Sequence, residues 1–550
     1  MSRDPVEKTS VPLLLALPVF FLCLGANAIW DANEAFYVET PRQMVLSGDY
    51  INPSFNDQPR FNKPVLSYWI VALLYQAFGV SVAVERVGIA LGAMGILAAT
   101  FLIGRALRST ATGVLAALIV AIAPRVVMFA RRIFIDVWIT CFMAAALACF
   151  VMAERHPGRR RAWLAAMYVA IGLGVMTKGP IALLIPALAG GVWLLVERRL
   201  GDLRRLMLLP GLLIVLAIVL PREIVVYADH GLSRITDFWI TENFGRYTSD
   251  MVPGDRGVLF YLPVLFGDLF PWAPLLLVPI VTAWRRSGGE PDDHAAIRRL
   301  LWLWIVVTVG FFTFSQSKQD LYIFPVAPAA AVLIADTLAR TRFGATHAVV
   351  RVIIAVVAAL CGVAAVVFWR LFRSGYYELG DASTVAIVLG GASAATLLFL
   401  WRRQHAAAFM TLTAGFILFN YLFVCRLLPD AERLKPIPPI AAAFNAQASP
   451  GATLHAFNMM LPSLVYYADR PVLEDIPSAD YAAALLHGRE EVWIVTGGPE
   501  WNDIRAQAPE PVSCVAERRH LFAFDARLAD LIAGRPPPDV LLVTNKCSGR

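Results

Sequence analysis

The chain has 550 residues, 58% of them hydrophobic and only 16% charged, with a formal net charge of +7. Soluble globular chains are roughly 45–50% apolar and about 25% charged, so this composition excludes a purely water-soluble protein and puts most of the chain in lipid. The positive balance does not point to nucleic acid, because basic residues of membrane proteins collect in short cytoplasmic loops.

A hydrocarbon core about 30 Å thick takes about 20 apolar residues as helix. Runs of that kind are expected near 11–30, 81–104, 109–127, 133–152, 162–177, 179–197, 206–226, 257–284, 299–316, 320–339, 347–370, 383–401 and 406–427. The expected fold class is mostly α, a polytopic membrane protein with about thirteen transmembrane helices. The first run reads as a retained anchor, because no small-residue cleavage site leads from it into a soluble domain.

The loops carry an orientation signal. Arg3 and Lys8 precede the first run. Arg105 and Arg108, Arg155 and Arg159, Arg198 and Arg205, Arg285 and Arg298, Arg340 and Arg342, and Arg402 and Arg403 then fall in every second loop. The positive-inside rule places these loops and the N-terminus in the cytoplasm, and an odd number of spans places the C-terminal end outside. The expected location is the bacterial inner membrane.

Two outer loops are long, about 31–80 and 227–256. In the first, Thr40-Pro41 is expected to start a short helix that Gly48 ends. Pro64 starts a second that ends at Gly79. Its sequence PVLSYWIVALLYQAFG suits the membrane interface, with Tyr68, Trp69 and Tyr75 at headgroup depth.

The texture changes near 436, so the expected domains are 1–435 in the membrane and 436–550 as a small periplasmic α/β domain. In the tail, ATLHAFNM, LVYYA, EVWIVTG, HLFAFD and DVLLVTN are rich in β-formers, and ADYAAALLHG reads as a helix. Cys514 and Cys547 lie in this tail, where an oxidising compartment would let them pair. The sequence leaves that open. No CxxC pair, nucleotide-binding glycine loop or internal repeat is present.

Ionisable residues at membrane depth are costly and usually functional. Here they gather at the outer side. They are Asp31 and Glu34, Arg60 and Lys63, Arg131, Arg132 and Asp136, Lys178, Glu242, Arg246 and Tyr247, and Lys318, Asp320 and Tyr322. Such a set suits displacement of a lipid phosphate from a sugar. Cations stabilise the departing phosphate, and a carboxylate takes the proton of the acceptor hydroxyl. Blander roles compete: Asp31 as a helix cap, Asp136 paired with Arg132 one turn away, and Lys63 and Lys178 reaching for headgroups.

NEAFYVE at 33–39, SGDY at 47–50, RFNKPVLSYW at 60–69, Thr177–Pro180 and Ser317–Tyr322 occur in that order, with Pro271-Trp272 following Tyr261 and Pro263. In these motifs the chain resembles the GT-C superfamily of membrane glycosyltransferases. It is most similar to the bacterial branch that contains protein O-mannosyltransferases and lipid A aminoarabinose transferases. The resemblance covers the first ten spans.

The resemblance implies a sugar donor on undecaprenyl phosphate or a relative, and an acceptor that is an envelope glycolipid such as lipid A or a protein. It implies inversion at the anomeric carbon. Asp31, Glu34 or Asp136 would be the catalytic carboxylate. Lys63, Lys178 and Tyr322, with Arg60, Arg132 and Lys318, would surround the donor phosphate. Glu242, Arg246 and Tyr247 would form a substrate loop.

The family's first acidic position falls on Asn33; the nearest carboxylates are Asp31 and Glu34, of which Asp31 is the favoured substitute. Asn62 replaces an acidic residue that can bind metal in the aminoarabinose transferases, so the sequence gives no support for a divalent-metal cofactor. A lipid transporter and a polyprenyl-lipid-binding assembly subunit without transferase activity are the alternatives.

Overall fold

In a computed structural model the described residues are 9–31, 34–132, 134–248, 256–283, 294–521 and 528–547. A helical membrane body leads to a C-terminal α/β domain.

Each of the thirteen apolar runs carries helix, but they are unequal. Among the described residues, eight helices are long and apolar enough to cross a membrane, or nine if one bent pair is a single span. The bent pair is Tyr261–Asp268 and Ala273–Val281, set at 112° to each other, where one straight span over 257–284 was expected. Pro271 lies in the break, and Pro274 stands in the first turn of the second piece. Proline has no N–H for the helical ladder and interrupts it there.

The first run is shorter than expected. Helix Ser10–Ala16 passes into a 3-10 turn at Leu17–Phe20, which contains Pro18. Ser81 and Ser109 cap the helices Val82–Leu107 and Thr110–Ile122 by accepting hydrogen bonds from Val84 N and Thr112 N. These two helices touch backbone to backbone at Gly104 and Gly113. A Cβ on Gly113 would come within 2.5 Å of the Phe101 carbonyl oxygen.

The first outer loop folds around one buried ion pair. The Arg86 Nε lies 2.6 Å from Glu34 Oε1, and Nη2 lies 3.1 Å from Oε2. Arg86 also donates to the carbonyls of Leu24, Asn27 and Ala28, while Glu34 accepts from Trp30 N. The following helix therefore begins at Ala35 and runs to Ser47, with Pro41 inside it instead of at its start. Glu34 fixes the entry, and Tyr37 stacks on Tyr68 and Phe134. These contacts outweigh the one backbone bond that Pro41 forfeits. Gly48 ends the helix at φ 73°, as expected. A two-stranded hairpin, β1 (Ser54–Phe55) and β2 (Gln58–Pro59), precedes the helix Leu66–Phe78, which Gly79 closes.

Among the described residues the C-terminal domain has five strands, β3 (Thr453–Phe457), β4 (Val472–Leu473), β5 (Val492–Gly497), β6 (Cys514–His520) and β7 (Asp539–Thr544), in the order β4-β3-β5-β7-β6. The β4-β3-β5 half is parallel, and β5-β7-β6 is antiparallel. Successive side chains of a strand point to opposite faces. Trp493, Val495, Val540 and Leu542 pack with Ile440 and Phe444 on one face, and Ile494, Leu541 and Val543 pack with Leu486, Trp501 and Ile504 on the other. Both faces are covered, which explains the near-continuous apolar runs in β5 and β7.

LVYYA, expected as a strand, lies in the helix Pro462–Ala468, where Pro462 takes the first helical position. Most of HLFAFD lies outside the described residues. Cys514 and Cys547 form a disulfide.

Candidate active site

Five chain segments far apart in sequence meet at the end of the helical body. Lys63 and Glu242 pair at 3.6 Å (Nζ to Oε2), each about one-fifth exposed. Lys178 pairs with Asp136, and its ammonium lies 5.1 Å from the centre of the Tyr322 ring. The two pairs are neighbours through the turn after Lys178. Gly179 there has φ 96°, and a Cβ on it would press to 2.9 Å from Asn243 Oδ1 and 3.1 Å from Phe238. Only glycine admits both that conformation and that approach. Gln316 N donates to the Tyr247 carbonyl at 3.0 Å, which ties the 316–322 loop to the same segment. Asp237–Gly245, which carries Glu242, is π-helical, a local widening of the helix common at functional positions.

A cavity of about 660 Å³ adjoins the Lys63–Glu242 pair. Phe36, Phe55, Phe61 and Phe238 supply apolar wall, and Arg60, Arg234, Asp57, Asp237, Glu242 and Glu474 supply charge. The C-terminal domain closes one side with Met460, Pro462 and the stretch 471–474. Aromatic faces with a few convergent polar groups are the usual lining of a small-molecule site.

The remaining expected residues divide. Arg60 lines the cavity, stacks 3.5 Å from the centre of the Phe36 ring and donates to the Tyr68 hydroxyl. Tyr247 donates to the Phe311 carbonyl and shapes its loop. The Lys318 carbonyl accepts from Arg256, which fixes its backbone. Arg132 lies over Trp30, 4.6 Å from the ring centre. Arg131 donates to the carbonyls of Val19 and Leu22. The Arg246 side chain and Asn33 lie outside the described residues.

Two of the three expected carboxylates hold the fold. Glu34 is wholly buried against Arg86. Asp31 accepts from the backbone and hydroxyl of Ser463, at the start of the helix Pro462–Ala468. Neither lines the cavity. Asp136 pairs with Lys178, across two helices, not with Arg132 one turn away as the bland reading had it. Among the described residues no three His, Cys, Asp or Glu side chains converge as a metal set.

The sequence reading missed Arg222 and Glu223, a buried ion pair at 3.0 Å in the helix Leu208–His230. Two ionisable residues inside the run VLPREIVV were the available signal. It also missed Arg125, which bridges Asp268 at 2.7 Å and Asp320 at 2.6 Å and so joins three segments.

Residues 14–230 match the family described as dolichyl-phosphate-mannose-protein mannosyltransferase. An undecaprenyl phosphate-α-4-amino-4-deoxy-L-arabinose arabinosyl transferase of Pseudomonas fluorescens Pf-5 is 30% identical over 411 residues, covering 72% of this chain and 68% of the relative. The corresponding Pseudomonas paraeruginosa transferase is 28% identical over 421 residues, covering 74% of each. The crystal structure of ArnT from Cupriavidus metallidurans bound to undecaprenyl phosphate superposes over 98% of both chains with a TM-score of 0.78 at 23% identity, which shows the shared fold. These matches settle the lineage: the chain belongs to the undecaprenyl phosphate-aminoarabinose arabinosyl transferase family and is a multi-pass membrane glycosyltransferase of GT-C fold.

Proposed function

We propose that this protein moves an aminoarabinose-type pentosyl unit from undecaprenyl phosphate to an envelope glycolipid of the lipid A class, at the outer face of a bacterial inner membrane. The observation that carries the reading is the Lys63–Glu242 pair at the edge of the cavity, with the Lys178–Asp136 pair and Tyr322 beside it.

The chemistry follows from charge. The acceptor oxygen attacks the anomeric carbon, the bond from that carbon to the phosphate oxygen breaks, and the electron pair leaves with the phosphate. The donor phosphodiester carries one negative charge, and the departing monoester carries about two near neutral pH. Lys63 and Lys178 stabilise that gain, and Tyr322 adds a hydroxyl donor. Glu242 takes the proton of an acceptor hydroxyl. Its protonation weakens its hold on Lys63 as the phosphate gains charge, so the cation passes from one anion to the other. Direct displacement inverts the anomeric centre. Arg60 and the phenylalanines of the cavity face the sugar, and Arg246 and Tyr247 belong to the loop that closes on the substrate.

The alternation of Arg-rich loops supports a cytoplasmic N-terminus and a periplasmic C-terminal domain. The Cys514–Cys547 disulfide also favours an oxidising compartment for that domain.

The test is transfer by the purified full-length protein in nanodiscs, given undecaprenyl-phosphate aminoarabinose and lipid A and read by mass spectrometry. The expected result is pentosylated lipid A and free undecaprenyl phosphate. Intact donor after incubation with lipid A and other envelope acceptors overturns the reading.

A further inference from the structure

Two arginines buried in the helical body, Arg86 and Arg222, use their guanidinium groups differently. Arg86 spends all three of its guanidinium nitrogens on Glu34 and three carbonyls. Arg222 is 5% exposed, and its Nη1 donates to Glu223 at 3.0 Å. Among the described residues its Nε and Nη2 meet no hydrogen-bond partner. A buried donor without a partner is costly, and a buried cation more so, unless something fills the vacancy.

The geometry of the vacancy is specific. Nε–H and Nη2–H lie on one edge of the guanidinium plane, the edge that grips two oxygens of a carboxylate or phosphate at once. The surroundings locate it. The guanidinium lies 5.7 Å from the centre of the Phe61 ring, and Phe61 is two residues before Lys63 and lines the cavity. Glu223 accepts from the Trp239 indole N–H at 3.3 Å, and Trp239 is three residues before Glu242. Arg222 and Glu223 thus stand behind both strands of chain that carry the Lys63–Glu242 pair. Arg234, one of the cavity's cations, lies 5.8 Å from the same Phe61 ring, so Arg222 and the cavity share this aromatic neighbour.

We propose that Arg222 is an oxyanion-binding residue of this enzyme, whose free guanidinium edge takes two oxygens of a phosphate group once Phe61 turns aside. The inference rests on the proposed transferase function. The phosphate is that of the polyprenyl donor or one carried by the acceptor, and the experiment separates them.

Full-length protein in nanodiscs is titrated with undecaprenyl phosphate, and then, saturated with that lipid, with inorganic phosphate. Wild type is compared with Arg222→Gln and Arg222→Lys. Loss of a charged bidentate contact weakens binding ~tenfold or more. A donor phosphate on Arg222 makes Arg222→Gln lose that factor for undecaprenyl phosphate. An acceptor phosphate leaves the lipid affinity unchanged and costs the factor for inorganic phosphate. In both cases Arg222→Lys, which keeps the charge without the fork, falls between wild type and Arg222→Gln. Arg222→Gln also strands buried Glu223 and lowers the melting temperature without ligand, whereas Arg222→Lys keeps a cation beside Glu223, so its loss of ligand affinity exceeds any fall in melting temperature.

Unchanged affinity for both probes in Arg222→Gln overturns the assignment. If Arg222→Gln does not fold, Arg222→Lys decides alone, and binding of both probes as tight as wild type overturns it. Wild-type protein that binds no undecaprenyl phosphate refutes the proposed transferase function instead, so the two failures are distinct.

Discussion

Asp31 accepts two hydrogen bonds from Ser463, 432 residues away in sequence, at 2.7 Å from the backbone nitrogen and 2.8 Å from the hydroxyl. The carboxylate sits where the helix Pro462–Ala468 exposes its first N–H groups. Beside it, Arg42 pairs with Asp469 at 2.6 Å, and Asn56 bonds both the N–H and the carbonyl of Val472. The first outer loop and one edge of the C-terminal domain are therefore clasped together, and the cavity wall at 471–474 depends on that clasp. Asp31→Ala is expected to loosen it by about 1–3 kcal/mol, because the Ser463 donors lose their acceptor. Asp31→Asn keeps an acceptor and costs less. Hydrogen exchange over 462–472 in the full-length protein checks this, with Asp31→Ala exchanging faster than Asp31→Asn. Asp31→Asn with full protection at 462–472 and no transfer activity would instead make Asp31 the base.

Glu34 and Arg86 are a closed pair with every charged atom occupied, so neither is available to substrate. Removing one partner strands the other in a buried site, a loss of about 3–5 kcal/mol. Glu34→Gln and Arg86→Met are each expected to lower the melting temperature of the detergent-solubilised protein. The double variant should recover part of the loss, because two neutral side chains leave no stranded charge. Single variants that melt as wild type does but fail to transfer sugar would contradict this structural role.

The segments that meet at the site were legible in the sequence, because charge in an apolar setting is conspicuous and several of the motifs carry a glycine or proline. Gly179 is the clearest case: the turn after Lys178 requires it by both φ and contact. What the sequence did not reveal was who pairs with whom. Asp136 and Lys178 are 42 residues apart and Lys63 and Glu242 are 179 apart, so no local pattern couples them. The i, i+4 neighbour Arg132 was the nearer suggestion for Asp136, yet the ring of Trp30 took its guanidinium. The strand reading of LVYYA failed for a related reason. Its β-forming residues fit a helix once Pro462 opened it and Asp31 accepted at its start. Span lengths were blurred where proline bends a helix, as at Pro18 and Pro271, since an apolar run shows hydrophobicity but not its direction.

Glu242 and Asp136 separate chemistry from scaffolding. Glu242 lines the cavity, is part-exposed and is held loosely by Lys63, whereas Asp136 is buried against Lys178. Glu242→Gln should lower kcat by about 10²–10⁴ while undecaprenyl phosphate still binds, the range for loss of a general base. Asp136→Asn should instead weaken donor binding, because Lys178 loses the partner that orients it. Steady-state kinetics with the lipid-linked donor distinguish the two. Equal kcat in wild type and Glu242→Gln would remove Glu242 from the role of base.

The disulfide Cys514–Cys547 closes the end of the β6–β7 pair, where Cys514 lies opposite Thr544, over a sequence separation of 33 residues. A cross-link over a loop of that length stabilises by about 2–4 kcal/mol, mostly by restricting the unfolded chain. Cys514→Ser is expected to increase protease sensitivity across 514–547 by the corresponding factor, with little effect on the membrane helices. Non-reduced protein in which alkylation labels both cysteines completely would show that the bond does not form in the native molecule.

Glu491 gives the C-terminal domain an acid limit. Burial alone would raise its carboxyl, but the Ser449 hydroxyl, the Trp493 indole N–H, the Ser449 backbone N–H and Lys546 together outweigh burial and hold it at about 2, below the ordinary 4.5. The ionised form is thus favoured by folding. Its contribution is complete above about 4.5 and is lost as pH falls towards 2. Those same bonds tie the Ser449 turn and Lys546, next to the disulfide, to the start of β5. Pepsin cleavage within 449–547, normalised to cleavage of an unstructured substrate, is therefore expected to rise between pH 4.5 and 2 in wild type. Glu491→Gln has no carboxylate to titrate there, so its cleavage should start higher and change less with pH. Parallel pH curves for the two proteins would show that another group sets the acid sensitivity of the domain.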